Sequence, residues 1–485
     1  MIFNSQEKIF CWARANPVLA TALIVVFARL PFILEPSLSL DDYKYLTTLP
    51  PKDLLISQGR FGWLVVERLA YFFGLSGPYW YVHATIFGLV SLAAVGVFTA
   101  RVAFKLEHGN GSLSIVIVAV MFALHPYHAE IITFREAFPF YALAMLLVSV
   151  GINILVAKTG FESLLLGTMF LLVALSINQL ALNLVAVVFL TRALISTLSG
   201  DRIWDEGAAR LALSSACAAL TIITCIFVAS QVYGVELESR AQILDYSRVS
   251  QRLSEVVSVA SDLIQFKLLY PIPILSALLA LLCLVGVVRL LSRAKTWSAR
   301  AVMIVLILVL PFASIGVVAA GTVFWAPPRT MVGFVFVTAF LLAFSVHGLH
   351  GRLRAFSSCI SVLIALAFIG IGDTVALDQS RINQRDQATA IAIAARVDKL
   401  SLQKIAFVGT WRHELGLRTR VGDISLSAFA ISWARGPAML EYTGRIWEIV
   451  EPNNVNLLRE ACNGLPVWPH EDSVNARGDL ALICL

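Results

Sequence analysis

Pro17-Val-Leu-Ala-Thr-Ala-Leu-Ile-Val-Val-Phe-Ala-Arg29-Leu-Pro-Phe-Ile-Leu34 is an apolar run long enough to cross a bilayer, and it is followed almost at once by Leu38-Ser39-Leu40-Asp41-Asp42. A hydrocarbon core of about 30 Å takes roughly 20 helical residues at about 1.5 Å each. Further apolar runs follow as far as Ile371, near 79–100, 113–125, 137–157, 162–176, 180–199, 209–232, 269–291, 300–320, 330–347 and 357–373. Backbone polar groups in lipid must be satisfied within the segment, so each run is read as a helix. The expectation is an all-α polytopic membrane protein of about eleven spans, with residues 1–374 as the membrane part.

Composition agrees. Of 485 residues, 58% are hydrophobic and 14% charged, with a mean hydropathy of +0.81. The formal charge of +6 does not point to nucleic acid, since no basic run interleaved with aromatics occurs. The first run follows Lys8 and Arg14, but Glu35-Pro36-Ser37 offers no small-residue cleavage site, so it reads as a retained helix.

Basic residues set the orientation. Lys8, Arg14, Arg101, Lys105, Lys158, Arg192, Arg202, Arg210, Arg289, Arg293, Lys295, Arg300, Arg352 and Arg354 fall in the same alternate set of short links. The positive-inside rule makes that set cytoplasmic, together with the amino terminus. With an odd helix count, residues 375–485 lie outside with the links around 35–78, 126–136, 233–268 and 321–329. That last segment is richer in charge and turn residues, and Lys404-Ile-Ala-Phe-Val-Gly409 reads as a strand ending in a turn. A small α/β extracytoplasmic domain is expected there. Of seven cysteines, Cys217, Cys225, Cys283 and Cys359 lie in apolar runs and Cys11 in the amino-terminal segment. Cys462 and Cys484 share the outer domain and are a candidate disulfide in an oxidising compartment.

Walker A, GxGxxG, HExxH and CxxC patterns are all missing, as is any 20–50-residue repeat. Chemistry must then come from the outer links. Asp41 and Asp42 sit beside the first span, with Tyr43, Lys44 and Tyr45 after them and Gln58-Gly59-Arg60 before the chain re-enters. Neighbouring helical residues diverge by about 100°, so at most one of the two carboxylates faces a cleft; the other, or either, equally caps a short helix starting at Tyr43. A second group is His125-Pro126-Tyr127-His128-Ala129-Glu130 with Phe134-Arg135-Glu136. Two histidines without a third ligand are weak evidence for metal and read as interfacial. A third is Asn178-Gln179 with Trp325-Ala-Pro-Pro-Arg329. Arg29 reads as snorkelling to the outer interface.

Taken together these motifs resemble the glucosyltransferase II family of bacterial and phage O-antigen-modifying enzymes, of the wider GT-C class. The likeness rests on Asp41-Asp42 with Gly59-Arg60, Pro126-Tyr127 with Glu130, Phe134-Arg135-Glu136, Gln179, and Pro328-Arg329, and it fades in the carboxyl-terminal segment. Glu136 stands where the family pattern has Asp, and Asn178 where it has Tyr. The resemblance implies a polyprenyl-phosphate-linked hexose donor, a glycan acceptor and a bacterial inner membrane. On that basis Asp41 is the first choice for general base and Asp42 the second; Arg60, Arg135 and Arg329 are donor-phosphate ligands; Glu130, Glu136, Gln179 and Tyr45 meet sugar or acceptor. No cofactor is required, and a divalent metal, if one binds, falls to Asp41 and Asp42. The competing readings are a transporter or lipid flippase, disfavoured by rim charges without a repeat, and another GT-C enzyme using a different lipid-linked sugar.

Overall fold

The computed structural model describes the chain apart from residues 1–11, 14, 36, 47, 76–79, 106–112, 240, 266–271, 347, 348, 350, 413–425, 451–459 and 461. Lys8, Cys11, Arg14 and the expected helix ends at 79, 269–271 and 347 lie outside the described residues. The helices are α1 Pro17–Ala28, α2 Leu30–Leu34, α3 Leu40–Lys44, α4 Lys52–Ser57, α5 Phe61–Phe72, α6 Tyr81–Ala103, α7 Leu113–Leu124, α8 Pro126–Thr133, α9 Phe138–Ala157, α10 Phe161–Ile177, α11 Ala181–Ser199, α12 Glu206–Tyr233, α13 Val249–Ile264, α14 Pro273–Arg293, α15 Trp297–Ala320, α16 Val332–Val346, α17 Gly351–Lys399 and α18 Ser432–Thr443.

Among the described residues every apolar run expected to be helical is helical, the first of them broken at Arg29. Among the described residues, seven helices are long and apolar enough to cross a membrane; α7 and α8, bent by 48° at His125, form one further candidate span, and α1, α10 and α16 are shorter apolar helices. The bend has a local cause. Pro126 opens α8 and His125 caps it, its Nδ1 accepting the Tyr127 N–H at 3.2 Å.

Two ends of the bundle can be told apart by contact. At one, Lys105 pairs with Asp201 at 2.8 Å and Arg192 with Asp205 at 2.6 Å, joining basic links. At the other, the links around α3, α8, the α10–α11 turn and Arg329 converge. Arg29 does not snorkel: it is fully buried, donating to the carbonyls of Leu124 at 2.6 Å and of Phe368 and Ile369 at 3.3 Å. The end of α7 leaves orphan carbonyls in an apolar setting, and a guanidinium serves them. Gly372 makes this possible, because a Cβ there would collide with the Arg29 guanidinium.

The 49-residue α17 is about 70 Å long, more than twice a hydrocarbon core. It runs unbroken through residue 375: Phe368, Ile371, Val375 and Ala376 pack in the bundle core, while Ala390, Ile393 and Val397 pack in a second core. That second core belongs to a four-stranded sheet of β1 Lys404–Val408, β2 Glu448–Ile449, β3 Val474–Arg477 and β4 Leu480–Cys484, in the order β2-β1-β4-β3. β1 runs parallel to β2 and β4, and β3 is antiparallel to β4. The expected strand at 404 is β1, ending at Gly409 with φ +88°. Cys462 and Cys484 are disulfide-bonded, with Cα atoms 5.8 Å apart.

A candidate active site at one end of the helical bundle

The short helix α3 separates the two aspartates as its geometry requires. Asp41 is exposed and Asp42 is fully buried. The helix starts at Leu40 rather than Tyr43. Its cap is Ser39, whose hydroxyl accepts the Asp42 N–H at 3.3 Å while Asp42 Oδ2 accepts the Ser39 N–H at 2.7 Å, a reciprocal capping box. Asp42 reaches further: Oδ1 accepts the Glu136 N–H at 3.0 Å and Oδ2 the Arg135 N–H at 3.3 Å. It therefore pins α3 to the link between α8 and α9. Burial pushes its carboxyl up to about 6 against the opposing effect of those N–H donors.

Arg135 serves the same junction. Its Nε donates to the Ser37 carbonyl at 2.6 Å and its Nη2 to those of Phe32 at 2.6 Å and Glu35 at 3.3 Å, closing the end of α2. Glu130 and Arg329 form a buried ion pair: Glu130 is inaccessible, Oε1 meets the Arg329 guanidinium, and Oε2 accepts the Arg329 N–H at 2.8 Å. The guanidinium lies over the rings of Trp325, at 4.4 Å, and Phe134, at 4.5 Å. Pro328–Thr330 is thereby locked to α8.

Gln179, in the turn between α10 and α11, donates to the Gly59 carbonyl at 2.7 Å. Gly59 has φ +69°, and a Cβ there would stand 2.5 Å from Ile226 Cδ1, so glycine is required on two counts. The turn delivers Arg60, half-buried, with its guanidinium 5.0 Å from the Trp63 ring centre. Asn178 caps locally, accepting the Leu180 N–H at 3.1 Å.

Around Asp41 the charges gather. Burial raises the Tyr45 phenol, and the carboxylates of Glu136, Asp41 and Glu67 raise it further against Arg60. Burial likewise lifts Glu136 well above the ordinary range, reinforced by Asp42, Glu67 and Asp41 and opposed by Lys44. Tyr45 thus lies within electrostatic reach of Asp41, Arg60, Glu67 and Glu136, and Glu136 within reach of Asp41 and Glu67. Glu67 was not anticipated. It is only 4% exposed on the protein-facing side of α5, takes a bond from Trp63 Nε1 at 3.4 Å, and has its carboxyl raised to about 7 by burial. Its signal was present in the sequence, since Trp63 and Glu67 are four apart on a helix whose charged residues are Glu67 and Arg68 alone. Ser39-x-x-Asp42 was likewise a legible capping box.

His125 and His128 are buried rather than interfacial, His128 packing against Phe122 and Tyr141. Among the described residues no three His, Cys, Asp or Glu side chains are grouped to hold a metal ion.

Among solved structures the chain is similar to the arabinofuranosyltransferase AftD from Mycobacteria, at 14% identity and a TM-score of 0.40, covering 90% of this chain. It spans only 31% of that protein's length. No curated protein matches. The family model described as Glucosyl transferase GtrII matches residues 30–345, which include α2, α3, the Gly59 turn, α8, Gln179 and Arg329. The chain belongs to the glucosyl transferase GtrII family.

Proposed function

We propose that the protein is an inverting glycosyltransferase that moves a hexose, glucose by the family's name, from a polyprenyl-phosphate carrier to an O-antigen or other cell-envelope glycan. The reaction is placed on the periplasmic face of the bacterial inner membrane, with the amino terminus cytoplasmic and the sheet domain outside. Lysines and arginines at the opposite end of the bundle and the Cys462–Cys484 bridge support that orientation.

One observation carries the reading: Asp41 is the exposed member of the pair, on a helix that its buried neighbour Asp42 fixes in place. A base must be presented to the acceptor and held there. In the step proposed, the acceptor hydroxyl gives its proton to Asp41 and its oxygen bonds to the anomeric carbon from the side opposite the phosphate. The carbon–oxygen bond to phosphate breaks, and its electron pair leaves with the polyprenyl phosphate.

Charge accumulating on that phosphate needs fixed donors. Arg60 is the first choice, because it stands half-exposed within electrostatic reach of Tyr45, as Asp41 does. Arg135 and Arg329 shape the rim: one is spread over three backbone carbonyls, the other paired with Glu130. Glu136 and Tyr45 are assigned to the hydroxyls of the transferred sugar or the acceptor, with the buried Glu67 behind them. Glu130 and Gln179 act one step back, holding Arg329 and the Gly59 turn.

Purified protein in vesicles, given defined polyprenyl-phosphate hexoses and an acceptor glycan, tests this reading. Sugar transfer is expected; solute or lipid movement without transfer would select the transporter or flippase instead.

A further inference from the structure

A five-residue helix has little stability of its own, so the placement of α3 must come from its neighbours. Asp42 supplies one set of ties, inside the membrane part. A second set comes from beyond the residues that carry the family pattern. Asn383, on α17, accepts the Leu38 N–H at 2.7 Å and donates to the Leu38 carbonyl at 3.0 Å, and Gln379 donates to the same carbonyl at 2.8 Å. Asn383 also donates to the Tyr43 hydroxyl at 2.8 Å. Tyr43, 1% exposed and next to Asp42, shares a short hydrogen bond with the hydroxyl of Tyr442 on α18.

The contact is packed as well as hydrogen-bonded. Leu40 and Tyr43 form one apolar cluster with Ala428, Ala434 and Ala438, and the Lys44 ammonium lies 5.6 Å from the Trp433 ring centre. One turn along α17 from Asn383, Asp386 accepts the Ser427 hydroxyl at 2.6 Å and the Ala428 N–H at 2.8 Å, fastening the lead into α18 to the same stretch of helix. Burial raises both tyrosines above the ordinary phenol range, so their hydroxyls stay protonated at neutral pH.

We propose that Asn383 and Tyr442 are positioning residues for Asp41, and that α17 and α18 are working parts of the active site rather than an appended domain. The inference rests on reading Asp41 as the base. It gives the outer domain a defined duty: it sets the height and rotation of the helix whose exposed carboxylate receives the acceptor proton. Misplacement by about 1 Å costs roughly 100-fold in rate, so loss of one hydroxyl contact registers in turnover before it registers in folding.

The test uses full-length Tyr442→Phe, Tyr43→Phe and the double variant, with polyprenyl-phosphate glucose as donor and Asp41→Asn in parallel. Each single variant is expected to lose about 10-fold in kcat per folded molecule, with donor KM unchanged and only a small drop in the thermal midpoint. Tyr442→Phe should add no further loss to Tyr43→Phe, because both remove the same bond. Asn383→Leu, read as kcat per folded molecule, should fall at least as far. Full kcat in the tyrosine variants, or losses that multiply in the double variant, overturns the positioning role. If Asp41→Asn is inactive while the tyrosine variants run at full rate, only this inference fails. If Asp41→Asn itself keeps turnover, the assignment of the base fails.

Discussion

The buried carboxylate of Asp42 accepts the N–H of Glu136 at 3.0 Å across 94 positions of chain. One residue earlier, Asp41 is exposed. The pair therefore divides its labour by direction: Asp42 ties the helix to the link between α8 and α9, and Asp41 faces outward. The same link carries Arg135, which closes the end of α2, so three elements of the rim meet at two adjacent residues.

Removing Glu130 should be costly. It is inaccessible, and its loss leaves the Arg329 guanidinium without its carboxylate. Glu130→Ala is expected to destabilise by about 3–5 kcal/mol, read as a lowered thermal midpoint in detergent. Replacing both partners by apolar residues should cost less than the two single losses added together. Full additivity would mean that the ion pair contributes no coupling.

Gly59→Ala should damage the turn that presents Arg60. The left-handed φ alone costs about 1–2 kcal/mol, and the added Cβ meets Ile226. Adding Ile226→Ala is expected to restore part of the folded yield and not all of it. Complete restoration would show that the backbone conformation imposes no strain of its own.

Stability should rise in mild acid. Burial lifts Asp42 to about 6, Glu67 to about 7 and Glu136 well above its ordinary value, all higher than an exposed aspartate or glutamate. A raised folded pKa means that the fold holds more protons than the unfolded chain; the stabilisation is full below about pH 4 and is lost as pH climbs through about 6 to 7. The thermal midpoint should therefore increase from about pH 7.5 to about pH 5, and Glu67→Gln should flatten part of the rise. A midpoint that drops steadily over that range contradicts the burial of these carboxyls.

The Cys462–Cys484 bridge closes a separation of 22 residues, for which chain entropy gives about 3 kcal/mol. Intact-mass measurement should find the two thiols oxidised, and Cys462→Ser should lower the melting of the sheet domain. Free thiols in protein isolated without reductant would count against both the bridge and an oxidising location.

The membrane helices were legible because apolar runs report burial in lipid directly: α6, α9, α11 and α15 fall within a few residues of their expected limits. The charged links stood out as well, since charge beside an apolar run is conspicuous. What the chain alone does not reveal is the direction of each side chain. Asp41 and Asp42 are indistinguishable until the N–H groups of Arg135 and Glu136 are brought against one of them. Arg29 looked like a snorkelling residue because local sequence does not disclose that the carbonyls of Leu124 and Phe368 come to meet it. Asn383 escaped notice for a similar reason: a polar residue in a charge-rich segment is ordinary until Leu38 and Tyr43 pack beside it.

Turnover of Asp41→Asn with a polyprenyl-phosphate hexose and acceptor glycan is the most direct measurement. The substitution removes the proton acceptor while leaving Asp42 and its ties intact. Transfer should fall by at least 100-fold, the low end of the about 10²–10⁴-fold that a positioned base contributes, in protein that expresses and melts like the wild type. Turnover within a few-fold of wild type would contradict the account.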